Sequence, residues 1–221
     1  MGDNGEHMKD IVIVGSGGVG AEIAWIVEQI NIVEPTWNII GFIDDNKEKW
    51  GQDFCGYKIL GGLDYLKTLD NSINVIIAIA NYKVKKTIVE KLEDKFEYAT
   101  IVHPTVFIHN SVSLGKGSII YQGVIITMNI TIGEHVIVSP KCGIGHDTII
   151  KDYVSLLWNV NVSGFDVIEE GVLMGTGSTV IQNKTIGQGA IIGAGAVVVN
   201  DIEGETTSVG VPSRIIKKLT S

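Results

Sequence analysis

The chain has 221 residues with 25 acidic and 17 basic side chains, a formal net charge of −8, which argues against nucleic acid or an anionic membrane surface as the main partner. No uninterrupted apolar stretch reaches membrane-spanning length. Two cysteines far apart in sequence, Cys55 and Cys142, fit a reduced cytoplasm better than a disulfide framework. Residues 1–8, including His7, read as the remnant of an added tag rather than a signal peptide.

In chain order, Ile11–Val14 is a short apolar strand that runs into Gly15-Ser16-Gly17-Gly18-Val19-Gly20. A helix comes next, with Ile23, Ile26, Val27 and Ile30 on one face. Trp37–Ile43 reads as a second strand closing on Asp44-Asp45-Asn46. Residues 45–60 read as a loop with a weak strand at Tyr57–Leu60, and Leu63–Leu69 as a short helix. Val75–Ala80 is a third strand and Val84–Leu92 a helix, before Tyr98–Val102 leads through His103-Pro104 into a different pattern. The β-α-β-α-β-α order predicts half of a doubly wound Rossmann-type fold over residues 9–101.

Gly15-x-Gly17-x-x-Gly20 lies between strand and helix, the context in which glycines let a backbone approach a phosphate at a helix N-terminus. Asp44 and Asp45 end the next strand, within reach of a ribose or base. A nucleotide diphosphate satisfies these handles, and a purely structural strand-to-helix turn is the bland alternative. NAD ranks below both, because the second half of a dinucleotide fold is missing and the rest of the chain has no hydride chemistry to serve.

From Val102 to Val198, seventeen positions spaced six apart all carry Ile, Leu, Val or Met. A period of six matches neither a helix nor simple strand alternation; it predicts a hexapeptide solenoid, a left-handed parallel β-helix over 102–221 with a short C-terminal tail. Four residues after each aliphatic position the side chain is small or β-branched, save Asp166 and Lys184, which are expected at a bulge or loop. Glycines directly after the aliphatic residue, such as Gly115, Gly145 and Gly175, are expected to serve tight corners.

Among the histidines, His103 at the junction reads as structural, and His109 and His135 as solvated corner residues. His146 follows the corner Gly145 and precedes Asp147, so its ring is expected on the outer surface with a carboxylate beside it, an arrangement suited to general-base catalysis. The spacings among His103, His109, His135 and His146 do not make the close pair that an interfacial zinc site needs, so no metal is expected.

Together, Gly15-Ser16-Gly17-Gly18, Gly41-Phe42-Ile43-Asp44-Asp45, the solenoid with Gly145-His146-Asp147 and the tail Gly210-Val211-Pro212-Ser213-Arg214 resemble one family. It is the sugar acetyltransferases of the sialic-acid O-acetyltransferase and bacillosamine N-acetyltransferase type. The resemblance implies a homotrimer, with active sites between subunits, that transfers acetyl from acetyl-CoA to the 4-amino group of a nucleotide-linked amino sugar. It implies His146 as base, Asp147 as its support and the Gly164 amide as oxyanion donor. Nucleotide-sugar contacts fall on Ser16, Gly17, Gly18, Asp44, Asp45, Ala80 and Asn81, and acetyl-CoA contacts on Ser155, Gly175, Thr176 and Ala194. The chain departs from some relatives at Val19, where they carry His, and at Ser155, where they carry a polar ring.

Two rival functions remain at this level. An O-acetyltransferase acting on sialic acid uses the same base and cofactor, and the Asp44-Asp45 pair leans away from it. A non-catalytic trimeric scaffold is the rival of another class, and the His146-Asp147 pair at a corner argues against it.

Overall fold

Strand-forming Ile and Val runs separated by glycine turns, then strict hexads, give two architectures in one chain. The computed structural model describes residues 8–219. They divide into two units: the first runs to Ala80 and resumes at Val84–Pro104, and the second comprises Asn81–Lys83 and everything from Thr105.

The first unit is an α/β domain. Strands β1 (Lys9–Val14), β2 (Trp37–Ile43), β3 (Asp53–Phe54), β4 (Tyr57–Gly61), β5 (Asn74–Ile77) and β6 (Glu97–Tyr98) form a sheet ordered β3-β4-β2-β1-β5-β6. It is parallel except for the β3–β4 hairpin. β4 is the weak strand expected at Tyr57–Leu60, and β3 adds a first arm where only loop was expected; Cys55 and Gly56, both at positive φ, make the two-residue turn. Helix α1 (Gly18–Val33) packs on β1 and β2. Because strand side chains alternate, Val12 and Val14 enter the opposite core with Leu66, Val75, Ile77 and Leu92. The latter residues bring in helices α2 (Leu63–Leu66) and α3 (Tyr82–Leu92).

The second unit is a left-handed parallel β-helix of 18-residue coils. On one face Leu114, Ile132, Ile150, Ile168 and Ile186 pair in unbroken register. A second stacks Ile126, Ile144, Val162, Val180 and Val198. A third stacks Ile120, Val138, Leu156, Met174 and Ile192. Nearly all are buried, so the hexad residues are the core. Each coil strand from Ser113 to Val198 is two residues long; burial and ladder hydrogen bonds, rather than strand length, hold the stack. The tail turns back as an antiparallel hairpin of Thr206–Val209 with Arg214–Lys218, which the hexad pattern does not announce.

Three expectations about this unit are corrected. Asp166 and Lys184 interrupt nothing: the strands Val167–Ile168 and Thr185–Ile186 come directly after them in register, and Asp166 is fully buried in the column. His135 is not a solvated corner residue, being 1% exposed and stacked parallel to Tyr153 at 5.3 Å. The glycines after aliphatic residues answer to crowding between coils rather than to dihedral strain. A Cβ on Gly145 would lie 2.6 Å from the Ser163 carbonyl carbon one coil on, while the positive-φ corners fall elsewhere.

Candidate functional site

The solenoid site is built at corners separated by one coil, so residues 18 apart in sequence meet. His146 and Asp147 occupy one corner, with Asp147 at positive φ. His146 Nδ1 lies 2.9 Å from Asp147 Oδ2. Asn129, one coil earlier, donates from Nδ2 to Asp147 Oδ1 at 3.2 Å. These hydrogen bonds, led by that of His146, lower the Asp147 pKa and keep it a carboxylate. A ring that donates from Nδ1 to this carboxylate leaves the Nε2 lone pair available, and more than half of the His146 side-chain surface is open to solvent.

Gly164 lies under the imidazole. A Cβ there would come within 2.8–3.1 Å of three ring atoms of His146, so only glycine admits the ring in this position. Among the described residues, the Gly164 N–H donates no hydrogen bond while its carbonyl accepts from Asn183. The next residue, Phe165, stands edge-on to the imidazole at 5.0 Å between centroids. Asn129 and Phe165 were not anticipated from sequence. The coil period would have pointed to them, as they stand 18 residues before and after Asp147.

Gly175, Thr176 and Ala194 lie together on neighbouring coils. A Cβ on Gly175 would meet the Ala194 nitrogen at 2.5 Å, and Thr176 and Ala194 are exposed. Ser155 differs: at 1% exposure it offers no surface to a cofactor in the single chain. The remaining histidines are placed structurally. His103 is buried against Gln29 at 2.9 Å, its pKa pushed down by burial, and His109 bonds Ser111. Cys142 is buried in the column with its thiol pushed up by burial to about 11 and is no nucleophile at neutral pH.

In the first unit, Gly15 takes φ +111°, and Gly20 is forced by the Gly15 carbonyl, 2.0 Å from where its Cβ would be. Gly17 caps α1 without a side-chain hydrogen bond, no acid occupies the first turn, and Gly17 and Gly18 face open space. Asp44 is not free to reach a ribose as expected. Its Oδ2 accepts from the Ser16 hydroxyl and, at 2.8 Å, from Lys49, and its Oδ1 from the Asn46 amide. Desolvation pushes its pKa up, but the Lys49 and Ser16 hydrogen bonds and the backbone amides outweigh that and hold it at about 2. Asp45 is exposed and caps α2 through the Leu63 amide at 2.9 Å. It stands between two clefts. One of about 240 Å³ is lined by Gly15, Ile43, Asp44, Leu63 and Ile79; the other, about 400 Å³, by Trp50, Tyr65, Lys47, Lys67 and Lys91. Ala80 ends the first stretch of this unit, and the exposed Asn81 is counted with the second. No group of three or more metal-ligating side chains occurs among the described residues.

Comparison with known proteins identifies the family. Residues 10–92 match the family described as the PglD N-terminal domain. The chain is 32% identical over 215 residues to GDP-perosamine N-acetyltransferase of Escherichia coli O157:H7, covering 93% of this chain and 96% of that one. It superposes with a TM-score of 0.86 on a variant of perosamine N-acetyltransferase from Caulobacter crescentus, solved with CoA and GDP-perosamine. That pair is 25% identical, over 96% of this chain and 98% of the other. With WeeI from Acinetobacter baumannii the TM-score is 0.84 at 30% identity, over 93% and 99% of the two chains. The chain therefore belongs to the sugar acetyltransferases of the hexapeptide-repeat superfamily, in the group that contains GDP-perosamine N-acetyltransferase.

Proposed function

We propose that the protein transfers the acetyl group of acetyl-CoA to the 4-amino group of a nucleotide-linked amino sugar, with His146 as general base. The observation that carries this reading is the imidazole held by Asp147 on one side and seated on Gly164 on the other. The amine lone pair attacks the thioester carbonyl carbon while His146 Nε2 takes the N–H proton, and Asp147 supports the imidazolium so formed. The Gly164 amide donates to the developing oxyanion. Collapse of the tetrahedral intermediate expels the CoA thiolate, which recovers the proton. With Cys142 buried and protonated, direct transfer in a ternary complex is favoured over an acyl-enzyme.

The first unit holds the nucleotide. The open glycine turn and the α1 N-terminus suit the diphosphate, with Lys49 the cation beside them, and Asp45 with its flanking clefts suits the nucleoside. Asp44 acts one step back, by orienting Ser16 and Lys49. Gly175, Thr176 and Ala194 are assigned to CoA. The active form is a homotrimer, because Ile125, Ile149, Trp158 and Ile181 leave large apolar surfaces of the coil uncovered in the single chain. No helix is long and apolar enough to cross a membrane. The reaction is placed in the cytoplasm, its product consumed by glycosyl transfer into a surface glycan. The decisive experiment is thioester consumption with acetyl-CoA against nucleotide-4-amino sugars and sialic acids. Turnover only with the sialic acids would replace this reading by O-acetylation, and turnover with none would remove it.

A further inference from the structure

A buried carboxyl one coil on from the His146 corner is unused by the chemistry above. Asp166 closes the corner Ser163-Gly164-Phe165-Asp166, the one that carries the Gly164 amide and the Phe165 ring. It is 0% exposed. Its Oδ1 accepts from the Lys184 amide of the next coil at 2.7 Å, beside the Asn183 amide, which donates to the Gly164 carbonyl at 3.1 Å. Its carbonyl accepts from the Ile149 amide of the preceding coil. Thr148, the residue below it in the column, donates from Oγ1 to the Ser163 carbonyl at 2.8 Å, so the corner is gripped at both ends. Oδ2 has no partner among the described residues.

A carboxylate here is costly. Burial raises its pKa to about 6 against the backbone hydrogen bonds and Lys184. Equivalent positions along the coil carry Val112, Ile130, Val136, Val154 and Val172, so closing a corner does not require an acid. The acid stands at the corner that supplies the oxyanion donor.

We propose that Asp166 is a positioning residue for acyl transfer: by binding the Lys184 backbone it ties its corner to the next coil and so sets the direction of the Gly164 amide and the stance of Phe165 against His146. The inference rests on the acyl-transfer reading. Wild-type turnover of acetyl-CoA with any acceptor of the panel tests that reading, and the Asp166 variants test only the inference. Asp166→Val, which restores the side chain of the neighbouring corners, should fold with the native circular dichroism and oligomeric state. Its turnover should fall by about 10- to 100-fold, the scale of a misplaced reacting group, with both KM values within about twofold. Asp166→Asn keeps the acceptor for the Lys184 amide and should recover most of the turnover. A folded Asp166→Val protein with wild-type turnover overturns the proposal. Should Asp166→Val not fold, Asp166→Ala, which removes the acceptor for the Lys184 amide without adding bulk, takes its place. It should show the same fall in turnover with unchanged KM values, against recovery in Asp166→Asn. Equal turnover in the Ala and Asn variants overturns the proposal.

Discussion

Replacing Asp166 by Asn should stabilise the protein at neutral pH and change its stability little below pH 4. The perturbation removes an ionisable group whose folded-state pKa, about 6, lies above the value of 3.8 it has when exposed. The folded state therefore binds the proton more tightly than the unfolded state. Protonation contributes stability that is fully present below pH 3.8 and lost as pH rises through about 6. A shift of roughly two units at 1.36 kcal/mol each makes the ionised carboxylate about 3 kcal/mol costlier than its protonated form. Asn mimics the protonated acid and does not titrate. Urea unfolding of both proteins at pH 4, 5, 6, 7 and 8, at one protein concentration, measures the difference. The gap should open by about 3 kcal/mol in favour of Asn between pH 4 and pH 8. Asp44, held at about 2, has the opposite sign, since its contribution is present above pH 3.8 and lost as pH falls toward 2; it is common to both proteins and cancels. A gap that stays flat with pH, or one that favours Asp at pH 8, refutes the reasoning.

His146→Ala should lower turnover by roughly two to four orders of magnitude with little change in the KM for acetyl-CoA, and Asp147→Asn should cost less, since the proton acceptor stays in place; steady-state kinetics on the folded variants checks both. Gly164→Ala should fold normally yet lose about 10- to 100-fold in turnover, because the added methyl occupies the place of the imidazole; unchanged turnover would mean that the ring works elsewhere. Asp45→Ala should raise the KM for the nucleotide sugar and spare that for acetyl-CoA, and equal damage to both would indicate a folding defect instead. Sedimentation should find a trimer at micromolar concentration, and a monomer would count against coil surfaces that pair between copies.

The solenoid was legible in the sequence because the inward-facing strand residues repeat at six and are aliphatic, as filling a narrow triangular core favours. The strand at Trp37–Ile43 and the glycine turn were legible because backbone geometry there selects residue types locally. The short Asp53–Phe54 arm of the first hairpin and the hairpin that closes the tail carry no strict alternation, so they stayed hidden. His146 beside Asp147 was visible as neighbours in the chain. The partners around the pair are not its neighbours in the chain: Asn129, Gly164 and Phe165 meet it only because one coil returns the chain over itself every 18 residues, and of these only Gly164 was named beforehand, through the family resemblance. Exposure was likewise decided by packing. The chain alone did not show that His135 is sealed against Tyr153 while His146 stays open, nor that Asp44 turns to Lys49 and Ser16 while Asp45 faces solvent. Short-range covalent geometry and side-chain size write themselves into sequence; which polar groups meet, and which of them keep water, depends on distances that only the stacked coils and the folded sheet establish.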